Sequence, residues 1–472
     1  MKNELIDNPS QMLDSLRSLS KTRMLSHIER LNLRLLEADL DAGFGQVECS
    51  EGNDDRTRVA IVSLLFNWPS TGGGIVHTAE LATFLDRSGY CVQHFYAKYD
   101  PWRVGQVESE LSYPTCPITF SENEWCLSDV TSRFRREVDR FAPDFVIITD
   151  SWNSKPHLAA AMDGYPYFIR LAALECICPL NNVRLLIGER GLAKQCLKTQ
   201  LATPKVCQKC VDDNQHLCGQ LHVDEREFSQ FHTPGYADIL QNAFASAAGI
   251  LAVNPLIATL CEPYSQAVHV VPSGFDPDRF LGLQGYQESR PFRFLFAGLT
   301  EEYMKGFQVL LQACQMLWQI RQDFELHVTA DDSNHSHKEP FIRYRGWQDQ
   351  DSLPKVIAEC HAVIVPTVAQ EALGRTAVEA MGAARAVIAS RIGGLPFTVT
   401  DGLTGLLFQP SDSSDLSKKM ARLMDEPGLA ESLGRNGQTK FSNEHTWDVI
   451  IDHGYSNCLC RSNRNKRGIS VA

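Results

Sequence analysis

Residues 371–379 read Glu-Ala-Leu-Gly-Arg-Thr-Ala-Val-Glu, and the chain continues AMGAARAVIASRIGGLPFTVTDGLTGLLF to Phe408. Two carboxylates stand eight positions apart, with a glycine-containing turn after the first and helix formers before the second. Eight positions are a little over two helical turns, so a continuous helix would set Glu371 and Glu379 within about 80° of one face. The arrangement expected instead is Glu371 in the loop ahead of the helix and Glu379 inside it. A carboxylate, the free N–H groups of a helix start and a second carboxylate then surround one pocket. Such a pocket suits a ligand with hydroxyls at both ends and a diphosphate between them. Standing alone, the nonapeptide would read as a surface helix with two solvated glutamates. The strand-like VIAS and the paired glycine that follow give it a context.

Working outward, 472 residues leave room for two or three domains. A hydrophobic content of 43% with 22% charged residues is that of a soluble globular protein. There are 57 acidic against 45 basic residues, a net charge of −12, which argues against general nucleic-acid binding. The first forty residues contain no apolar h-region, so no secretory signal is expected. The most apolar window, Ala243–Cys261, is broken by Asn254-Pro255 and reads as helix, buried strand and turn rather than a membrane span. The expectation is a cytoplasmic protein, at most peripheral to the inner face of the membrane.

Residues 1–57 read as a helical lead and a polar linker, the lead amphipathic with a polar face of mixed charge. Residues 58–266 read as a first α/β domain. Strand Val59–Leu65 is followed by Gly72-Gly73-Gly74 and helix Ile75–Ser88, the strand–glycine turn–helix unit with which open sheets approach a ligand. Further strands at Cys91–Tyr96 and Phe145–Thr149, with helix Asp129–Phe141 between them, imply a parallel sheet. Residues 267–440 read as a second α/β domain opening with strand Val268–Val271. Residues 441–472 read as a last helix with Trp447 and a short basic tail, Arg461–Arg467.

The run from Glu371 resembles the Glu-x7-Glu segment of the retaining, GT-B-fold glycosyltransferases of family 4, and the match "EAM-G…VIAS-GG-P…V-DG-TG-L" extends over about forty residues. The resemblance implies two Rossmann-like doubly wound domains facing a cleft, with the acceptor in the first and a nucleotide-sugar donor in the second. It implies that Glu371 contacts the donor sugar hydroxyls and Glu379 the ribose hydroxyls. Leu373, Gly374, Arg375 and Thr376 would present the turn to the diphosphate. Lys305 matches the lysine of the family's "G-R-L…K-G" segment, and Gly274 lies in a match to "P-N-G-V-D…F" with Ser273 at the Asn position. Gly73 and Gly74 would let the first domain close onto the donor, and Trp347 would line the base pocket or sit in the core. The last helix would cross back to the first domain. Catalysis in this family implies no metal cofactor.

The chain departs from the pattern at four places. Leu299 occupies the usual Arg position, which removes a bidentate diphosphate contact. Arg375 could substitute for it or face solvent. Phe397 replaces a glutamate. Ala384 and Ala386 replace a Gly and a Pro, read as packing changes of low consequence. Where many relatives have a cleft histidine, this chain has Asp150 at a strand's C-terminal end, a candidate for orienting an acceptor hydroxyl or for capping a loop. His157 and His77 are further cleft candidates.

Six of the fifteen cysteines fall between Cys176 and Cys218, in an insertion at about 174–222. Cys207-x2-Cys210 has the spacing of a structural metal knuckle, which Cys196, Cys218 and His216 could complete with zinc. Free thiols or disulfides are the competing states. The reading is a retaining glycosyltransferase in polysaccharide or glycoconjugate synthesis, its acceptor a glycan, a lipid-linked sugar or a small molecule. Two alternatives stay open: a catalytically degenerate GT-B glycan-binding or assembly subunit, and a nucleotide-sugar epimerase.

Overall fold

The computed structural model describes residues 56–70, 72–188, 192–330 and 339–460. The expected helical lead, most of the linker and the basic tail lie outside these residues. The first sheet is built from β1 (Arg58–Ser63), β2 (Cys91–Lys98), β3 (Thr115–Thr119), β4 (Phe145–Ile148) and β5 (Tyr167–Leu171), with two further strands described below. Strand β1, RVAIVS, is apolar on both faces, as a strand covered on both sides must be. Its Val59 pairs in parallel with Val92 on one side and Phe145 on the other. The insertion adds a small antiparallel hairpin, β6 (Leu185–Ile187) with β7 (Ala193–Gln195). The main sheet then resumes with β8 (Gly249–Ala252) and β9 (Val268–Val270), giving the order β3-β2-β1-β4-β5-β8-β9.

Strand β9 corrects the expected domain boundary. Ile250 pairs with Val268 and Ala252 with Val270, so Val268–Val270 closes the first sheet instead of opening the second domain. A short apolar strand carries no mark of which sheet it joins; the parallel partner decides. The apolar window Ala243–Cys261 contains the end of helix Tyr236–Ser246, β8 and helix Pro255–Cys261. Among the described residues no helix is long and apolar enough to cross a membrane.

The second sheet comprises β10 (Phe292–Phe296), β11 (Phe324–Val328), β12 (Ile342–Tyr344), β13 (Ala362–Val365), β14 (Ala386–Ser390) and β15 (Leu406–Phe408). Its order is β12-β11-β10-β13-β14-β15, with parallel pairing throughout. Each sheet reverses its winding beside its first strand, between β1 and β4 and between β10 and β13. Both domains are therefore Rossmann-like and doubly wound, and each places ligand-facing loops at the C-terminal ends of the strands.

After helix Ser413–Asp425 the sequence reading passes over a sixteen-residue helix, Leu429–Glu444. The chain then returns to the first domain. Trp447 is fully buried and stacks on Phe84, with ring centroids 5.5 Å apart, and Tyr455 Oη lies 3.1 Å from His77 Nε2. Gly274 sits beneath this tryptophan, where a Cβ would collide with the indole ring.

Candidate active site

Strand β13 ends at Val365, and the chain crosses an irregular loop before helix Arg375–Gly382. Glu371 lies in that loop and Glu379 in the second turn of the helix. The loop is held from two sides. Thr367 Oγ1 and Val368 N both donate to Met304 O, at 2.8 and 2.9 Å, which docks the turn carrying Lys305. On the other side Gly394 N donates to Glu371 O at 2.6 Å. Gly393 and Gly394 press so closely on the Glu371–Ala372 backbone that a Cβ at either would overlap it. The paired glycine is thus the surface against which the first carboxylate is positioned.

Lys305 Nζ stands 3.8 Å from Glu371 Oε2. The carboxylate raises the lysine's pKa above its ordinary value against the opposing effect of burial, so Lys305 is a stable cation beside a half-exposed acid. Gly374 takes φ +77°, turning the chain into the helix and leaving the first helical N–H groups without intrahelical acceptors. A carboxylate in the loop just ahead of the positive end of a helix is therefore paired with a cation. Leu373 is buried, with its carbonyl accepting from Thr398 Oγ1 at 2.7 Å, and Thr376 is half-buried at the helix start.

Glu379 is 3% exposed. Burial raises its pKa, and the charges of Arg375 and Arg279 oppose that shift. These guanidiniums are drawn in by Glu80, on helix Gly73–Arg87 of the first domain, a residue the sequence reading passes over. Glu80 is within 3.3 Å of Arg375 Nη2 and 3.5 Å of Arg279 Nη1, and accepts from Trp447 Nε1 at 3.2 Å. Arg375 also lies over the Phe275 ring, 4.3 Å from its centroid. Arg375 is thus neither solvent-facing nor turned to the Lys305–Glu371 pair. It joins the two domains.

Gly73 sits where the domains meet, and Gly74 lies against residues of the first domain. A Cβ on Gly73 would come 3.0 Å from Arg375 Cδ, and one on Gly74 would come 3.7 Å from Asp150 Oδ1. Asp150 follows β4, at the point where the first sheet reverses its winding, and its carbonyl accepts from Leu64 N and Leu65 N. Ser63 Oγ and Thr149 Oγ1 donate to Oδ2 at 3.2 and 3.3 Å. Burial pushes this carboxyl up to about 6, offset in part by Thr78, Lys155 and Ser63. The loop after it is gathered by Glu225, also passed over in the sequence, which accepts backbone N–H bonds from Trp152, Asn153 and Ser154.

Other expected residues fall elsewhere. His157 Nε2 is bonded to Ser229 O at 2.8 Å. His77 is fully buried and held by burial well below the usual imidazole range, so it is a neutral packing residue. Gly274 packs under Trp447. Trp347 is 54% exposed, which removes the core reading. Leu299 and Phe397 are exposed as well. Cys218 does not share a cavity with Cys196, Cys207 and Cys210. Its sulfur meets Arg226 Nη2 at 3.3 Å and Gln215 O at 3.1 Å. Ala384 takes φ +54°, so its replacement of a glycine puts a Cβ into the left-handed region and is a backbone matter as well as a packing one.

Residues 291–426 match the family model described as Glycosyl transferases group 1. The MMP alpha-(1->4)-mannosyltransferase of Mycolicibacterium hassiacum is 28% identical over 226 residues, 45% of this chain and 51% of the relative. The 2-deoxystreptamine glucosyltransferase of Streptomyces kanamyceticus is 28% identical over 227 residues, 43% and 58% of the two chains. The chain thus spans about half the length of these curated relatives. Among solved structures, the sucrose-phosphate synthase of Thermosynechococcus elongatus superposes with a TM-score of 0.59 at 16% identity, covering 85% of this chain and 98% of that one. HepE of Anabaena, in complex with UDP and glucose, gives 0.56 at 14% identity, covering 85% and 99%. The fold is GT-B.

Proposed function

We propose that the protein is a glycosyltransferase that moves a sugar from a nucleotide-diphosphate donor to an acceptor hydroxyl, with retention of the anomeric configuration. The observation that carries the proposal is the Lys305–Glu371 pair held at the start of helix Arg375–Gly382. Glu371 takes the donor sugar hydroxyls and Glu379 the ribose. Lys305 and the helix N-terminus meet the charge that grows on the departing diphosphate. The diphosphate accepts the proton of the acceptor hydroxyl on the same face of the sugar. Asp150, behind Gly74, orients that hydroxyl. The UDP bound by HepE makes a uridine diphosphate sugar the first donor to try. Polysaccharide or glycoconjugate synthesis in the cytoplasm is the setting that fits such chemistry.

One observation favours a second reading, a GT-B subunit that binds glycan without catalysis. Leu299 stands where a diphosphate-binding arginine is expected, and Arg375 is committed to Glu80. A panel of nucleotide sugars and nucleoside diphosphates separates the two. A donor at 100 times its dissociation constant stabilises the fold by ~2.7 kcal/mol, visible as a thermal shift. A shift with one nucleotide class, followed by donor hydrolysis or transfer, supports the transferase. No shift and no turnover with any donor would favour the binding subunit.

A further inference from the structure

Apart from the donor and acceptor loops, the insertion holds a second cluster of chemistry-bearing side chains. Cys178, Cys196, Cys207 and Cys210 line one cavity of about 180 Å³, together with Arg184 and Lys198. They reach it from three elements. Cys178 lies in the turn before β6, Cys196 directly follows β7, and Cys207 and Cys210 lie one turn apart on helix Pro204–Asn214.

We propose that Cys178, Cys196, Cys207 and Cys210 form a tetrathiolate site for one zinc ion, which braces the insertion against the loop carrying Glu371. Two loop positions and a Cys-x2-Cys helix supply four soft ligands around one cavity, the number and type a closed structural zinc site uses. Polar N–H groups approach the sulfurs. Lys198 N donates to Cys196 Sγ at 3.4 Å, a bond from two residues along the chain. Cys178 Sγ donates to Asn181 Oδ1 at 3.6 Å. Asn214 Nδ2 lies 3.8 Å from Cys210 Sγ.

Binding is Zn²⁺ plus four thiols giving a tetrathiolate centre of charge −2 and four released protons. Arg184 and Lys198, both lining residues of the same cavity, carry the two compensating charges. Arg184 is buried, and its Nε has no hydrogen-bond partner within the protein. As they stand the four sulfurs are not closed to ligating distance, since among the described residues no group of three or more His, Cys, Asp or Glu is arranged to hold a metal. Binding on this proposal therefore includes closure of the four sulfurs onto the ion.

The brace runs from the same residues. Gln370, next to Glu371, donates through Nε2 to Cys196 O at 3.2 Å and through its backbone N to Val183 O at 3.2 Å. Gln195 Nε2 donates to Val368 O at 2.6 Å. A hairpin of two three-residue strands has little core of its own to hold these contacts, and a metal crosslink supplies the missing rigidity.

The test is metal content, which does not depend on the glycosyl-transfer reading. Full-length protein purified under reducing conditions, or reconstituted anaerobically with Zn²⁺, should hold about one zinc per chain. Cys178→Ser and Cys207→Ser should lower occupancy at least about tenfold, whereas Cys218→Ser should retain it. Cobalt substitution should give the intense visible bands and sulfur-to-metal charge transfer of tetrahedral tetrathiolate coordination. If the cysteine variants do not fold, titration of the intact chain with an organomercurial should release zinc as these four thiols, located by peptide mapping, are modified. Failure to retain zinc after reconstitution overturns the proposal. So does loss of metal in Cys218→Ser equal to that in Cys178→Ser, or a cobalt spectrum of octahedral coordination.

Discussion

Arg375, the fifth residue of the Glu371–Glu379 stretch, forms an ion pair at 3.3 Å with Glu80 of the first domain. Both side chains are 15% exposed. The arginine of the Glu371–Glu379 stretch therefore joins the domains, and Lys305 is the cation beside Glu371. Glu80→Gln removes the charge shared by Arg375, Arg279 and the Trp447 indole. Unpairing a largely buried arginine should cost roughly 3 kcal/mol. Thermal and urea denaturation would register it, and an unchanged midpoint would show that the pair is not formed in solution.

Lys305 and Glu371 are half-exposed, so their loss should affect chemistry more than folding. Glu371→Ala and Lys305→Met should each lower the transfer rate by at least about 100-fold. Stability should stay within about 1 kcal/mol of the parent. Turnover against the identified donor, alongside a melting curve, separates the two effects. Undiminished turnover in Glu371→Ala would remove it from the site.

Asp150 has a folded-state pKa of about 6 against the ordinary 3.8. The folded protein therefore holds its proton more tightly than the unfolded chain, and stability from this group falls as pH rises from about 4 to about 6. Asp150→Asn removes a penalty that is fully present above pH 6 and absent below pH 4. The variant should gain at most about 3 kcal/mol at pH 8 and nothing at pH 4. Denaturation at both pH values checks the sign. If the ionised carboxylate orients the acceptor, the parent's rate should fall below about pH 6, and the variant's should be low and flat across that range.

Ala384 sits at φ +54°, where an L-residue with a Cβ is strained. Ala384→Gly should stabilise the protein by about 1 kcal/mol, less the entropy that glycine returns to the unfolded chain. A melting temperature that falls would mean the buried Arg385, whose guanidinium bonds the Ala383 and Ala384 carbonyls, is what holds this turn in place.

The alternation of apolar strands and helices was enough to imply parallel α/β sheets, because strand and helix periodicities are local, while the two doubly wound domains were expected only from the family resemblance. Loop placement of Glu371 and helical placement of Glu379 were legible for the same reason, with Gly374 marking the turn between them. What the sequence could not carry were relationships between residues far apart along the chain. Val268–Val270 reads as a strand from composition, but only pairing with β8 puts it in the first sheet. Glu80 and Glu225 are ordinary helix glutamates by pattern. They become organisers of their surroundings through partners some 295 and 71–73 residues away. In the insertion, spacing singled out Cys207 and Cys210, while the fold exchanged Cys218 for Cys178 at the shared cavity. Sequence by itself therefore determined the elements and the residue types available to the site. Which charges are desolvated, which are paired and which thiols meet was decided by tertiary packing, because burial and pairing depend on distance in space and not on separation along the chain.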